Sequence, residues 1–239
     1  RPPRSTLFPY TTLFRSNNET LTGFGTLSEL NNKYFKMYNF PLLEAGEYYH
    51  IYNRGIGKQT IFRSSNNYQY FIEKALKYLH PILEIISYCL LKNHFHFFVK
   101  IKTIEEQLQF HKINNPNDDF KELIAGKQFS KLFNSYAQAF NKSYNRSGSL
   151  FEKPFKRIPV SEDDYITLLI FYIHSNPVKH GIISNFYDYP YSSYTDIIKN
   201  DMRIVNSDFA LKWFGELEDF ISFHKEMHDL RKIDNYLLE

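Results

Sequence analysis

The sequence of 239 residues predicts an α+β fold in which strands and helices alternate along the chain. Short segments rich in aromatic and β-branched residues, which favour strands, stand between longer segments whose apolar residues recur at helical spacing. The hydrophobic content of 43% is enough for a packed core. No apolar run approaches the roughly 20 residues that a membrane helix needs, so no membrane partner is expected.

Four segments are predicted as strands: residues 47–54, 84–91, 94–101 and 155–160. The first, EYYHIYNR, is rich in aromatic and β-branched residues and ends near two glycines. The second and third are separated only by Lys92 and Asn93, which indicates a tight hairpin.

Three segments are predicted as helices: residues 66–79, 129–144 and 161–175. In the first two, apolar residues recur every three or four positions. The third is expected to begin with a cap formed by Ser161 and Asp164 and to stop before Pro177. Residues 111–128 are polar and contain the run Asn-Asn-Pro-Asn-Asp-Asp, so they are predicted to form a loop.

The first six elements follow the split β-α-β order of a ferredoxin-like antiparallel sheet, and the helices are expected on one face. Residues 37–195 are therefore predicted as one domain, followed by an acidic helical C-terminal extension, residues 196–239. Residues 1–36 are predicted as a non-native or disordered leader, because residues 6–16 (TLFPYTTLFRS) look like a translated sequencing adapter. Met37 is the expected natural start.

The net charge of +3 is unevenly distributed. Residues 37–160 carry 17 basic and 10 acidic side chains, whereas residues 161–239 carry 7 and 14. A basic surface attracts phosphate backbones, which makes the first part the expected place for nucleic-acid contacts. The one cysteine, Cys89, has no partner for a disulfide, so a reducing, cytoplasmic setting is expected.

Two histidines mark the candidate site. His94 and His96 alternate with apolar residues in the third predicted strand, and side chains two positions apart in a strand leave the same face. Two imidazoles at this spacing can share one divalent metal ion. Tyr172 and Asn176, one turn apart on the third predicted helix, share a helix face, so one helix could present both side chains to the same site.

Four segments also resemble a known family in their residues, order and spacing. They are Tyr48–Gly55 (YYHIYNRG), Tyr88–Val99 (YCLLKNHFHFFV), Gly148–Phe155 (GSLFEKPF) and Tyr172–Tyr194 (YIHSNPVKHG through YPYSSY). Together they resemble the single-tyrosine HUH transposases, and within that group the REP-associated tyrosine transposases.

The resemblance implies a role for each matching residue. His94 and His96 match the two metal-binding histidines, Asn176 matches a third ligand, and Tyr172 matches the nucleophile. The implied reaction is cleavage of single-stranded or hairpin DNA, assisted by Mg²⁺ or Mn²⁺, with a 5′-phosphotyrosine intermediate and a released 3′-hydroxyl. The resemblance is compatible with a monomer or a homodimer.

The basic residues predicted to contact DNA are Arg54, Lys153, Lys156, Arg157, Lys179 and His180. The cluster from Lys153 to Arg157 includes Phe155, and basic residues interleaved with aromatic ones are typical of a groove that binds a nucleic-acid backbone. Solvated surface charge is the alternative interpretation of the same cluster.

Three further alternatives stay open. Tyr165, two helical turns before Tyr172, is the main competitor as nucleophile. The chain is alternatively a catalytically inactive protein that binds single-stranded or hairpin DNA, or a structural metal-binding domain whose binding would be insensitive to salt. A metallo-hydrolase of the His-x-His-x-Asp-His kind is excluded, because Phe98 stands where that motif needs aspartate.

Overall fold

A computed structural model describes residues 42–160 and 163–236 of the chain. The predicted leader, the predicted start Met37 and the predicted cap residue Ser161 lie outside the described residues. From Leu43 onward the chain belongs to one compact unit, which contains all the elements discussed below.

Four strands form one antiparallel sheet: β1 (Tyr48–Arg54), β2 (Leu83–Leu91), β3 (His94–Ile101) and β4 (Lys156–Val160). Their order across the sheet is β2-β3-β1-β4. This is the order of a split β-α-β sheet, because the two outer strands each pair with a strand from the other half. The predicted strands, their hairpin and the α+β class are confirmed, and each strand boundary lies within one residue of its prediction.

Two helices from the connections between strands, called the connecting helices below, cover one face of the sheet. They are α1 (Ser65–Leu79) and α3 (Ala125–Ser143), which begins four residues earlier than predicted. The ring of Phe71 in α1 lies 5.1 Å from that of Phe95 in β3, and Phe133 in α3 lies 5.8 Å from Phe95. These aromatic contacts form the main core between the helices and the sheet.

The predicted loop at residues 111–128 is partly wrong, because helix α2 (Ile104–Asn114) occupies its beginning. Thr103 caps this helix: its hydroxyl accepts the backbone N–H of Glu106, whose carboxylate accepts the N–H of Thr103. The helix exposes Ile104 and Ile113 and has no apolar stripe, so periodicity gave no indication of it. The Thr-x-x-Glu pattern of a capping box was the available indication.

The third predicted helix, α4 (Asp163–Lys179), does not stop before Pro177 but continues through it. Gly181 follows two residues after the helix, and its φ of 63° is the left-handed conformation that favours glycine. The N–H of Ile182 donates to the carbonyl of Pro177, and the N–H of Gly181 donates to that of Val178. These two bonds form a Schellman motif, so the glycine and not the proline terminates the helix.

Helix α4 lies on the other face of the sheet from α1 and α3. Its residue Tyr172 contacts His96 of β3, whereas Phe71 of α1 contacts Phe97, whose side chain leaves β3 on the opposite face. The prediction that the helices lie on one face therefore holds for α1 and α3, whereas α4 covers the second face. This second face carries the predicted histidine pair.

The predicted C-terminal extension is helical and consists of α5 (Tyr194–Ile198), α6 (Ser207–Leu211) and α7 (Leu217–Tyr236). A buried hydrogen bond joins α7 to α4: Nδ1 of His174 lies 3.0 Å from Nε2 of His224. Nδ1 of His224 donates to the carbonyl of Phe220, so its Nε2 must accept from His174. Nε2 of His174 in turn accepts from the hydroxyl of Ser193.

None of the helices in the described ranges has the length and apolar character needed to cross a membrane.

The buried pair His174 and His224 predicts a loss of stability on mild acidification. Burial lowers the pKa of His224 from 6.5 to about 3 and holds that of His174 well below 6.5. Between pH 6.5 and about pH 3, His224 binds a proton in the unfolded chain but not in the folded chain. The free energy of unfolding therefore falls as the pH decreases below 6.5. The slope is at most about 1.4 kcal/mol per pH unit for each such histidine.

Urea unfolding at neutral and mildly acidic pH measures this slope. His224→Gln keeps an acceptor for His174 but removes one titrating group, so its slope should be shallower than that of the wild type by about one proton. Equal slopes for the two proteins would contradict the assignment of acid sensitivity to this pair.

Candidate active site

The alternation of β3 places the two predicted metal ligands on the face covered by α4. Phe95 and Phe97 are fully buried against the connecting helices, and His94 and His96 leave the opposite face. The centroids of the two imidazole rings are 5.3 Å apart. The predicted shared face is therefore present in the fold.

The side chain of Asn93 orients His94. Nδ1 of His94 lies 2.7 Å from Oδ1 of Asn93, whose own amide group donates to the carbonyl of Lys58. An amide oxygen only accepts, so the proton of His94 is on Nδ1 and Nε2 presents its lone pair. Burial lowers the pKa of His94 to about 4, with further contributions from the charges of His180 and Arg54. The ring is therefore neutral at pH 7, as metal binding requires.

A third histidine, not predicted from the sequence as part of the site, contacts His96. Nε2 of His50 in β1 lies 2.9 Å from Nδ1 of His96, and both rings are buried. Burial, followed by the neighbouring imidazoles, holds the pKa of His96 well below its ordinary value, and burial lowers that of His50 to about 3. Both rings are neutral at pH 7. No spacing in the sequence indicated this contact, because it depends on the pairing of β1 with β3.

Helix α4 brings Tyr172 to the histidine pair. The centroid of its ring lies 5.7 Å from that of His96 and 6.1 Å from that of His50, edge to face in both cases. The ammonium group of Lys179 lies 4.8 Å from the centre of the Tyr172 ring. The predicted nucleophile and the predicted ligands are therefore neighbours. The competing residue Tyr165 lies in the first turns of α4, and its side chain is outside the described part of the structure.

Asn176 remains on the helix despite the proline that follows it. Its side-chain N–H group donates to the carbonyl of Tyr172 at 2.8 Å, which fixes the amide over the previous turn. Its Oδ1 is buried and makes no hydrogen bond with any described residue. A buried oxygen without a hydrogen bond is compatible with the predicted role as a metal ligand.

The predicted donors to a metal ion are two imidazole nitrogens and this amide oxygen. Within residues 42–160 and 163–236, no three or more histidine, cysteine, aspartate or glutamate side chains are arranged to hold a metal ion. Imidazole suits first-row transition metals, and amide oxygen suits Mg²⁺ and Mn²⁺. Of the two predicted ions, Mn²⁺ fits both kinds of donor.

The predicted basic residues are not all brought to this face. Arg54 lies opposite His94 in the sheet register and forms an ion pair with Glu152 at 2.8 Å. His180 lies beside His94, with ring centroids 4.8 Å apart, and Lys179 contacts Tyr172.

In β4, adjacent residues leave opposite faces. Lys156 lies opposite Tyr52 and shares the histidine face, whereas Arg157 lies opposite Ile51 and stacks over Phe155, on the face of the connecting helices. Lys153 is exposed in the preceding loop. The structure therefore separates Arg157 from the other predicted DNA contacts, because one position along a strand reverses the direction of a side chain.

No protein-family model matches the chain. A protein of Haemophilus influenzae strain Rd that carries the name REP-associated tyrosine transposase is 25% identical over 126 residues. The match covers 52% of this chain and 65% of that protein, which is less than two thirds of its length. A solved structure of a REP-associated tyrosine transposase bound to a REP hairpin matches with a TM-score of 0.48 and 17% identity, over 70% of this chain and 86% of that one. The sequence comparison confirms the resemblance to the REP-associated tyrosine transposases that the four motifs predicted.

Proposed function

We propose that this protein is a metal-dependent enzyme that cuts and rejoins single-stranded or hairpin DNA through Tyr172, as expected of a transposase. The observation that supports this best is the position of the Tyr172 ring against His96, on the face where Nε2 of His94 keeps its lone pair. A nucleophile beside a metal site is the arrangement that cleavage of a phosphodiester needs.

In the proposed step, Oη of Tyr172 loses its proton and forms a bond to phosphorus. The bond from phosphorus to the 3′-oxygen breaks, and that oxygen takes up a proton to become a 3′-hydroxyl. The DNA then carries its 5′-phosphate on Tyr172. No water or nucleotide is consumed, so a 3′-hydroxyl can reverse the step and rejoin a strand. A tyrosine suits this exchange because its pKa near 10 makes the phenolate a serviceable leaving group.

The residues around Tyr172 have complementary roles in this proposal. His94, His96 and the amide oxygen of Asn176 would hold a Mn²⁺ or Mg²⁺ ion, which would act as a Lewis acid and stabilise negative charge on the phosphate. The ammonium group of Lys179 lies over the Tyr172 ring and would place a positive charge close to the phosphate that Tyr172 attacks. Lys156, exposed on the same face of the sheet, is placed to contact a DNA phosphate.

Covalent adduct formation tests this proposal. The full chain is incubated with labelled hairpin DNA from the flanks of its own gene and Mn²⁺, and the products are separated on a denaturing protein gel. We expect a labelled protein band that Tyr172→Phe and His96→Ala abolish and that a chelator prevents, because the nucleophile and the metal ligands are both required.

Tyr165→Phe is the matched control and should form the adduct like the wild type. If Tyr165→Phe abolishes the band and Tyr172→Phe retains it, the nucleophile is assigned wrongly. If the wild type binds the hairpin without any adduct, the interpretation as a catalytically inactive DNA-binding protein replaces the proposal.

Salt dependence of hairpin binding tests the predicted phosphate contacts. The logarithm of the binding constant should fall linearly with the logarithm of the salt concentration, because each phosphate contact releases counterions. Lys156→Ala should reduce the magnitude of this slope by about 1, since it removes one contact. Lys131→Ala changes an exposed lysine on α3 and should leave the slope unchanged. Fluorescence anisotropy over a salt series measures both, and a binding constant insensitive to salt would favour a structural metal-binding domain.

A further inference from the structure

We propose that His50 is a positioning residue that orients His96 for metal binding by accepting a hydrogen bond from its Nδ1–H. This inference rests on the proposed function, because it assigns a partner to one of the proposed metal ligands. It concerns a residue in a different strand from the two histidines of the motif.

The geometry of the pair supports a directed hydrogen bond. Nε2 of His50 and Nδ1 of His96 are 2.9 Å apart, and the two rings are stacked with an interplanar angle of 22°. Only 3% of His50 and 6% of His96 is exposed, so solvent has little access to either ring. The sheet register fixes this contact, since His50 pairs with Phe98, two residues beyond His96 on β3.

The hydrogen bond has two directions, and only one of them is compatible with a metal ligand. If His96 donates through Nδ1, its Nε2 keeps a lone pair that can bind a metal ion. If His50 donates instead, the neutral ring of His96 carries its proton on Nε2, which then cannot bind a metal. Binding through Nε2 of His96 therefore requires His50 to be the acceptor and to carry its own proton on Nδ1.

The other predicted ligand has the same arrangement. Nδ1 of His94 donates to Oδ1 of Asn93, which leaves Nε2 of His94 with its lone pair. Each of the two histidines therefore has a partner at Nδ1: Asn93 in the hairpin turn before β3 for His94, and His50 on the neighbouring strand for His96. Metal-binding histidines in proteins are usually held in this way by a group that accepts from the other ring nitrogen.

The pair is also difficult to explain as packing alone. Nδ1 of His50 is buried and has no hydrogen-bond partner among the described residues. A buried polar atom without a partner lowers stability, and an apolar ring of similar size at residue 50 would avoid that loss. The contact with His96 is thus the feature of His50 that a phenylalanine would not provide.

Mn²⁺ binding by the full chain without DNA tests this role, measured by isothermal titration calorimetry. His50→Phe keeps a ring but removes the acceptor, and it should weaken Mn²⁺ binding about 10- to 100-fold. His50→Gln restores an acceptor oxygen near the position of Nε2 and should bind Mn²⁺ nearly as tightly as the wild type. Tyr49→Phe is the matched control, because it removes a hydrogen bond from the opposite face of the same strand and should not change the affinity.

A second measurement uses the wild-type chain alone. In long-range ¹H–¹⁵N spectra of the chain loaded with diamagnetic Zn²⁺, the proton of His50 should be on Nδ1. A proton on Nε2 of His50 would overturn the inference, and this readout remains decisive if His50→Phe does not fold.

This inference and the proposed function can fail separately. If the wild type forms the DNA adduct and His50→Phe binds Mn²⁺ as tightly as the wild type, the positioning role is wrong and the nicking reaction stands. If His50→Phe weakens Mn²⁺ binding while the wild type forms no adduct, the positioning role stands and the nicking reaction is wrong. A wild type that binds no Mn²⁺ would overturn the positioning role.

Discussion

The two-residue alternation of β3 is the constraint on which both the core and the site depend. Successive side chains of a strand point to opposite faces. Because Phe95 and Phe97 pack against the connecting helices, His94 and His96 must point to the other face. Phe95 and Phe97 have no exposed surface, which fixes the register of the strand. A shift of one residue in the strand register would turn the two histidines toward α1 and α3 and turn Phe95 and Phe97 away from them. The packing of the phenylalanines on one face therefore fixes the position of the histidines on the other.

The second face becomes a site only because α4 covers it. The hydrogen bond between His174 and His224 attaches α4 to the C-terminal helix α7, and His174 lies two residues after Tyr172. The extension that follows the sheet thus contributes to the position of the proposed nucleophile through α4. Two separate hydrogen-bonded pairs of histidines result: His50 with His96 in the sheet, and His174 with His224 between α4 and α7.

The sequence was informative where a local pattern determines structure and uninformative where the structure depends on distant pairing. Alternation and hydrophobic periodicity were enough for the four strands, α1 and α3, and the motif spacing indicated His94, His96 and Tyr172. The predicted end of α4 was wrong because the helix accommodates Pro177 and is terminated by Gly181. The contact of His50 with His96 joins residues 46 positions apart. It follows from the pairing of β1 with β3, which no single segment encodes.

The neutrality of the buried imidazoles links the stability of the fold to its proposed chemistry. A neutral ring is the form that binds a metal ion, and burial enforces it by making the charged form unfavourable. The same burial costs stability, because the unfolded chain can bind protons that the folded chain excludes. A layer of apolar side chains on this face would avoid both that acid sensitivity and the unpartnered nitrogen of His50. The imidazoles on this face therefore suit the proposed metal binding better than they suit packing, and the aromatic core on the opposite face offsets their cost in stability.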